Sequence, residues 1–190
     1  MNKRIALLGL IAVAMIAHGS ASAAPLPTEG VLRAQLRSVV WPDDIVRLSD
    51  EYLRRFPKGP VAADAARRSG RAALARNVLQ TQDVQLFRTA FVAVARVPAL
   101  RRDVERAALA DAEAALRIAH ALHKGPDAPA DADRYVGWLQ FASSLGNGEA
   151  SYELALHYRR SAQMPPASRY EARAVEQGFQ PPPALDHVRK

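Results

Sequence analysis

The chain has 190 residues, a formal net charge of +7 and no cysteine. Without cysteine there are no disulfides and no thiolate metal sites, and a lipid carried on an N-terminal cysteine is excluded too. The length suits one folded unit behind a short leader, enough to bury about two-thirds of its unfolded surface.

In chain order, Asn2, Lys3 and Arg4 form a basic start, Ile5 to Ala17 an apolar run, and Ala21-Ser22-Ala23 a small-residue site. This order predicts a secretory signal over residues 1–23, cut after Ala23. The apolar run is shorter than the roughly 20 residues that a membrane-spanning helix needs. Export into the bacterial periplasm, or secretion, is the expected localisation. Removing Lys3 and Arg4 leaves 24 basic and 19 acidic residues, a net near +5. Such a balance invites a nucleic-acid reading, but an exported protein seldom meets nucleic acid. Anionic head groups, anionic polysaccharide, peptidoglycan carboxylates or an acidic protein face are the expected counterparts. The pairs Arg54-Arg55, Arg67-Arg68, Arg101-Arg102 and Arg159-Arg160 are read as solvated helix faces.

Helical periodicity then runs from residue 31 to residue 177, and no segment alternates as a strand does. The predicted helices lie near 31–40, 43–56, 60–77, 82–97, 99–109, 112–123, 132–145, 149–160 and 166–177. In the second, Ile45, Leu48, Ser49, Tyr52, Leu53 and Phe56 share one stripe. Pro42, Asp43 and Asp44 suit its first turn, where proline loses no hydrogen bond and acids meet the positive end of the dipole. The chain breaks at Pro57 and Gly59 and restarts at Pro60. That F-P-x-x-x-x-A-x-x-A form resembles helix junctions of tetratricopeptide proteins of the bacterial envelope, so residues 24–110 are read as a tetratricopeptide-like region. Thr81 is expected to cap the helix that ends near Val97, with Val84, Phe87, Phe91 and Val94 on its apolar side. Pro98 opens another, expected to continue into the next unit.

The stretch E-A-A-L-R-I-A at Glu113 to Ala119 returns 36 residues later as E-A-S-Y-E-L-A at Glu149 to Ala155. Trp138, Ala142 and Gly146 keep the mutual spacing of Tyr170, Ala174 and Gly178, here at an offset of 32. A shorter loop absorbs the difference, as loops do and helix faces do not. These residues resemble the Sel-one-like repeat, a relative of the tetratricopeptide repeat, over two units in residues 111–178. The loops depart from its pattern: Lys124 to Asp133 keeps a glycine but not the usual pair, and Arg160 to Pro166 has none. The resemblance implies an all-α fold, a short α-solenoid of antiparallel helix pairs. Ala114, Ala119, Ala142, Ala150, Ala155 and Ala174 are expected where helices cross closely, and Trp138 and Tyr170 in the packing position between helices. Gly146 and Gly178 fall just past the last apolar turn, where positive φ ends a helix.

Chemistry-bearing residues are sparse. His120 and His123, spaced i, i+3, could share a helix face, and with His157, one position out of register in the next unit, would make a two- or three-histidine metal site, although helix-end histidines are common without metal. No nucleophile elbow, phosphate-cradling glycine loop, H-E-x-x-H or framed carboxylate pair is present, and Asp186-His187 has no nucleophile assigned by spacing. No catalytic residue and no cofactor is expected. Tyr135, Trp138 and Phe141 could form a stacking platform, but the repeat register puts Trp138 inside.

The expected function is therefore that of a non-enzymatic envelope scaffold or adaptor gripping a protein or peptide partner, as the resemblance implies. The alternatives are an enzyme accessory or small metal-binding or hydrolytic protein using His120 and His123, or a binder of anionic glycan or membrane surface. Residues 179–190 form a proline-led tail in which Leu185 and Val188 offer a poor end cap.

Overall fold

A computed structural model describes residues 27–123 and 132–180. The predicted signal, most of the Lys124 to Asp133 connection and the tail from Pro181 onward lie outside the described residues. Among the described residues the chain is 76% helical, with nine α-helices and no strand. They are α1 (Glu29–Ser38), α2 (Pro42–Arg55), α3 (Ala62–Leu79), α4 (Arg88–Ala95), α5 (Arg101–Ala107), α6 (Ala112–His123), α7 (Ala132–Ser144), α8 (Gly148–Arg160) and α9 (Met164–Glu176). Neighbours in sequence pack on one another, most extensively α2 on α3, α6 on α7 and α8 on α9.

Local chemistry explains most helix boundaries. Pro42 occupies the first turn of α2 with Asp43 and Asp44 beside it, and Arg54 and Arg55 close the last turn, all favourable to the helix dipole. The apolar stripe of α2 buries Ile45, Leu48 and Tyr52. Leu32, Leu36, Leu48, Tyr52 and Ala65 make a small core between α1, α2 and α3. Tyr52 reaches across it to donate a 2.7 Å hydrogen bond to Glu29. A Cβ at position 59 would sit 2.2 Å from the Tyr52 hydroxyl, so the α2–α3 turn needs a glycine there.

The larger core runs continuously from Val40 to Tyr170. Its centre is aromatic. Phe91 of α4 lies 5.2 Å from Trp41, 4.7 Å from Trp138 and 5.7 Å from Phe141, measured between ring centroids. Such edge and tilted contacts add to the apolar area removed from water. Four aromatic rings from the start of α2, from α4 and from α7 thus join the first half of the chain to the second.

Two expectations are corrected between α3 and α6. The helix predicted near 82–97 begins only at Arg88, and Thr81 does not cap it. The Thr81 hydroxyl instead donates to the Val78 carbonyl at 2.7 Å, finishing α3. Tertiary contacts hold the segment before Arg88 out of the helix. The Gln85 amide donates to the Gln140 side chain at 2.9 Å, and Asp83 receives Arg173 at 3.0 Å and Arg169 at 3.6 Å. Val84 and Leu86 are buried, whereas Phe87, expected on the apolar side, is 70% exposed. The second correction concerns Pro98. It opens a 3₁₀ turn over Pro98–Leu100 that leads into α5, which stops at Ala107 and does not continue into α6.

That stop follows a pattern used four times among the described residues. At Ala110, Gly146, Ala162 and Gly178 the backbone φ is 59°, 100°, 56° and 80°. In each case the following amide reaches back five residues: Asp111 to Arg106, Asn147 to Ala142, Gln163 to Tyr158 and Phe179 to Ala174. The positive-φ residue itself donates to the carbonyl three back, completing the six-to-one and five-to-two bonds of a Schellman ending. The next helix is then capped by a side chain in two of the four cases. Asp111 accepts from the Ala114 amide at 2.9 Å and Asn147 from the Ala150 amide at 2.7 Å.

Candidate functional site

The last turn of α6 and one face of α8 bring three metal-competent side chains together. His120, Glu149 and Glu153 each place a donor atom within 4.8 Å of the other two. Helical pitch puts Glu149 and Glu153, four apart, on one face. His120 Nε2 lies 2.6 Å from Glu153 Oε1, and Tyr135 of α7 donates to the other Glu153 oxygen at 3.1 Å. Burial, reinforced by the Glu153 charge, pushes the Tyr135 hydroxyl up to about 12. Tyr135 therefore keeps its proton and its donor role at neutral pH. His123 stacks on the Tyr135 ring at 4.6 Å. His120, His123, Tyr135, Glu153, Leu156 and Arg160 surround an open pocket of about 360 Å³.

The three histidines weighed from sequence do not converge. His120 and His123 border one pocket, while His157, one turn beyond Glu153 on α8, borders another. Burial, and then the Arg160 charge, hold His157 below the ordinary histidine range. Its cavity, about 530 Å³, lies between the Gln85 to Phe87 segment, α4, and Arg134, Gly137 and Gln140 of α7. Gln140 connects its walls, accepting from the Gln85 amide and donating to the Tyr158 hydroxyl at 3.1 Å. Gly137 permits the close approach, since a Cβ there would stand 2.7 Å from the Gln85 carbonyl. The exposed Phe87 side chain gives this cavity an apolar edge.

The repeat residues sit inside. Ala114, Ala119, Trp138, Ala142, Ala150 and Ala155 are fully buried, and Tyr170 and Ala174 are 1% exposed. Trp138 and Phe141 are closed off from solvent and offer no stacking platform; Tyr135 alone of that trio faces a pocket. A buried polar knot ties α7, α8 and α9. Ser143 and Ser151 share a 2.7 Å hydrogen bond, Ser151 also lies 2.6 Å from Gln177 Oε1, and Gln177 donates to the Ser143 carbonyl at 2.8 Å. Asn147 meanwhile donates to Glu113 at 2.7 Å, linking α8 to the start of α6.

Sequence reasoning missed Glu149 and Glu153 as a functional pair because both fell inside the repeated E-A-x-x-x-x-A stretch. A signal was present. Glu113 echoes Glu149, but the residue 36 positions before Glu153 is Arg117. Arg117 pairs with Asp103 at 2.6 Å, so the second copy exchanges an ion-paired cation for a carboxylate facing a pocket.

Comparison with protein-family models, with curated proteins and with solved structures finds no match.

Proposed function

We propose that the chain is a non-enzymatic helical-repeat adaptor of the cell envelope, exported after removal of residues 1–23, that grips a protein or peptide segment. In this reading α5 to α9 form a short α-solenoid, with one unit ending at Ala110, the next at Gly146 and a third at Gly178. One observation carries the solenoid. The same Schellman ending and the same side-chain cap recur at Ala110-Asp111 and Gly146-Asn147, 36 residues apart, and the ending returns at Gly178 after 32. Repeats built on one supersecondary unit reuse their turns as well as their faces.

The groove beside Phe87 suits the partner's side chains. It joins an exposed aromatic edge to Arg134, Gln140 and His157, a mix of apolar contact and polar anchoring typical of binding clefts. An anionic envelope component would meet Arg134 in the same groove, and nucleic acid is not the expected partner. A photo-crosslinking residue placed at Phe87 is expected to give a discrete adduct in envelope extracts, whereas one at Arg67 on the exposed face of α3 gives none. Identical labelling from both positions would overturn the groove assignment. The second reading, a metal-binding accessory protein, draws on the donors gathered between α6 and α8.

A further inference from the structure

We propose that His120, Glu149 and Glu153 form a binding site for one divalent transition-metal ion of the zinc type. The inference deepens the metal-binding reading and shares no residue with the groove beside Phe87. Its starting point is spacing. An ion bound to imidazole nitrogen and carboxylate oxygen at roughly 2.0–2.2 Å requires donors about 3 to 3.6 Å apart. The three donor atoms lie within 4.8 Å of one another, and His120 Nε2 already touches Glu153 Oε1 at 2.6 Å. Small side-chain rotations convert this contact into a shared ion, with the proton of the hydrogen bond released to solvent.

The supporting backbone is packed on both helices. Ala119, next to His120, and Ala150, Leu154 and Ala155, which alternate with the two glutamates, are fully buried between helices. This packing fixes where the donors leave the backbone, and the exposed Glu149 side chain turns in to complete the set. Tyr135 fixes the second oxygen of Glu153 by donating to it at 3.1 Å, an outer contact of the kind that orients metal-binding carboxylates. Donor chemistry selects the ion. One imidazole with two carboxylates suits zinc and its first-row neighbours, whereas calcium needs six to eight oxygens. Two carboxylates balance the dication, and Arg160 on the pocket wall offsets part of their charge. The 360 Å³ opening leaves the remaining coordination position to water or a small ligand.

Zinc titration of the full chain by calorimetry, in chelator-treated buffer, tests the site. One zinc ion per chain is expected, with His120→Ala, Glu149→Gln and Glu153→Gln each weakening binding at least tenfold. Tyr135→Phe should weaken it by about tenfold as an orienting residue, and His123→Ala, which removes the ring stacked on Tyr135, should weaken it no more than that. Cobalt(II) provides an independent readout, a visible absorption band that Glu153→Gln abolishes, and circular dichroism verifies that each variant remains helical. Failure to take up zinc would overturn the proposal. So would unchanged affinity in Glu149→Gln, which reduces the site to a histidine–glutamate contact, or loss of binding in His123→Ala, which moves it to the histidine pair.

Discussion

Ala110 and Ala162 hold φ values of 59° and 56°, a conformation that their Cβ atoms resist, at positions where Gly146 and Gly178 do the same work without resistance. Left-handed backbone costs a residue with a Cβ about 1–2 kcal/mol, and glycine recovers part of that while gaining freedom in the unfolded chain. Ala110→Gly and Ala162→Gly are therefore expected to stabilise the protein by about 0.5–1 kcal/mol each, read as a higher urea midpoint at unchanged slope. A lower midpoint would mean that the alanine methyls make contacts worth more than the strain. Asp111, beside the first of these endings, carries a second prediction. Burial works to raise its carboxyl, but the Ala114 amide and the Arg106 guanidinium outweigh burial and hold it below the ordinary aspartate range. A depressed folded value stabilises the protein above the unfolded value, and that gain is lost as pH falls through the folded one. Asp111→Asn keeps the cap and removes the charge. It should cost stability at pH 7, and the gap from the parent should close toward pH 3; a constant gap would show that Arg106 pairing contributes nothing.

At the scale of helices, close approach decides which changes are tolerated. Ala142 is fully buried and Ala174 is 1% exposed, each in the body of a helix that packs on its neighbour. Ala142→Leu and Ala174→Leu should each destabilise by about 1–3 kcal/mol, because added methylenes have no space to enter. Near-zero losses at both would show that the matched spacing of Trp138 and Tyr170 has no packing meaning. Gly137 is a sharper test of the 82–87 segment. A methyl there meets the Gln85 carbonyl, a backbone atom that cannot rotate away. Gly137→Ala should loosen the Gln85 amide, detected as faster hydrogen exchange from Val84 to Phe87, while α2 and α3 keep their protection. Unchanged exchange at Gln85 would place the contact among those that α7 absorbs by a small shift.

For the whole molecule, the question is how the series of packed helices ends. Leu185 and Val188 of the tail lie outside the described residues, but Phe179 does not. Its ring lies 5.2 Å from that of Tyr152, and a Cβ at Gly148 would stand 2.7 Å from the Phe179 Cβ. Phe179 thus covers the start of α8, while Gln177 stitches α9 to Ser143 and Arg173 ties it to Asp83. Phe179→Ala is expected to raise amide exchange in α8 and α9 by about tenfold, close to 1.4 kcal/mol of local opening, with α2 and α3 unaffected. Equal acceleration throughout would show that the chain opens as one unit and not from its end.

The sequence by itself determined what depends on local pattern. Helical periodicity, with Pro42 and the acids beside it at the start of α2, placed α1 to α3 and α5 to α9 close to their observed bounds, because these signals act within one or two turns. The alanines that the echo singled out are buried. Contacts between residues far apart in the chain were decided by the tertiary structure alone. The 82–87 segment reads as helix until Gln140, 55 residues on from Gln85, accepts the Gln85 amide, and Arg173, 90 residues on from Asp83, pairs with the Asp83 carboxylate. Glu153 reads as a repeat position until α6 and α7 bring His120 and Tyr135 to it. Periodicity records which face a residue occupies, but not which side chain of another helix waits there; that depends on how the helices cross.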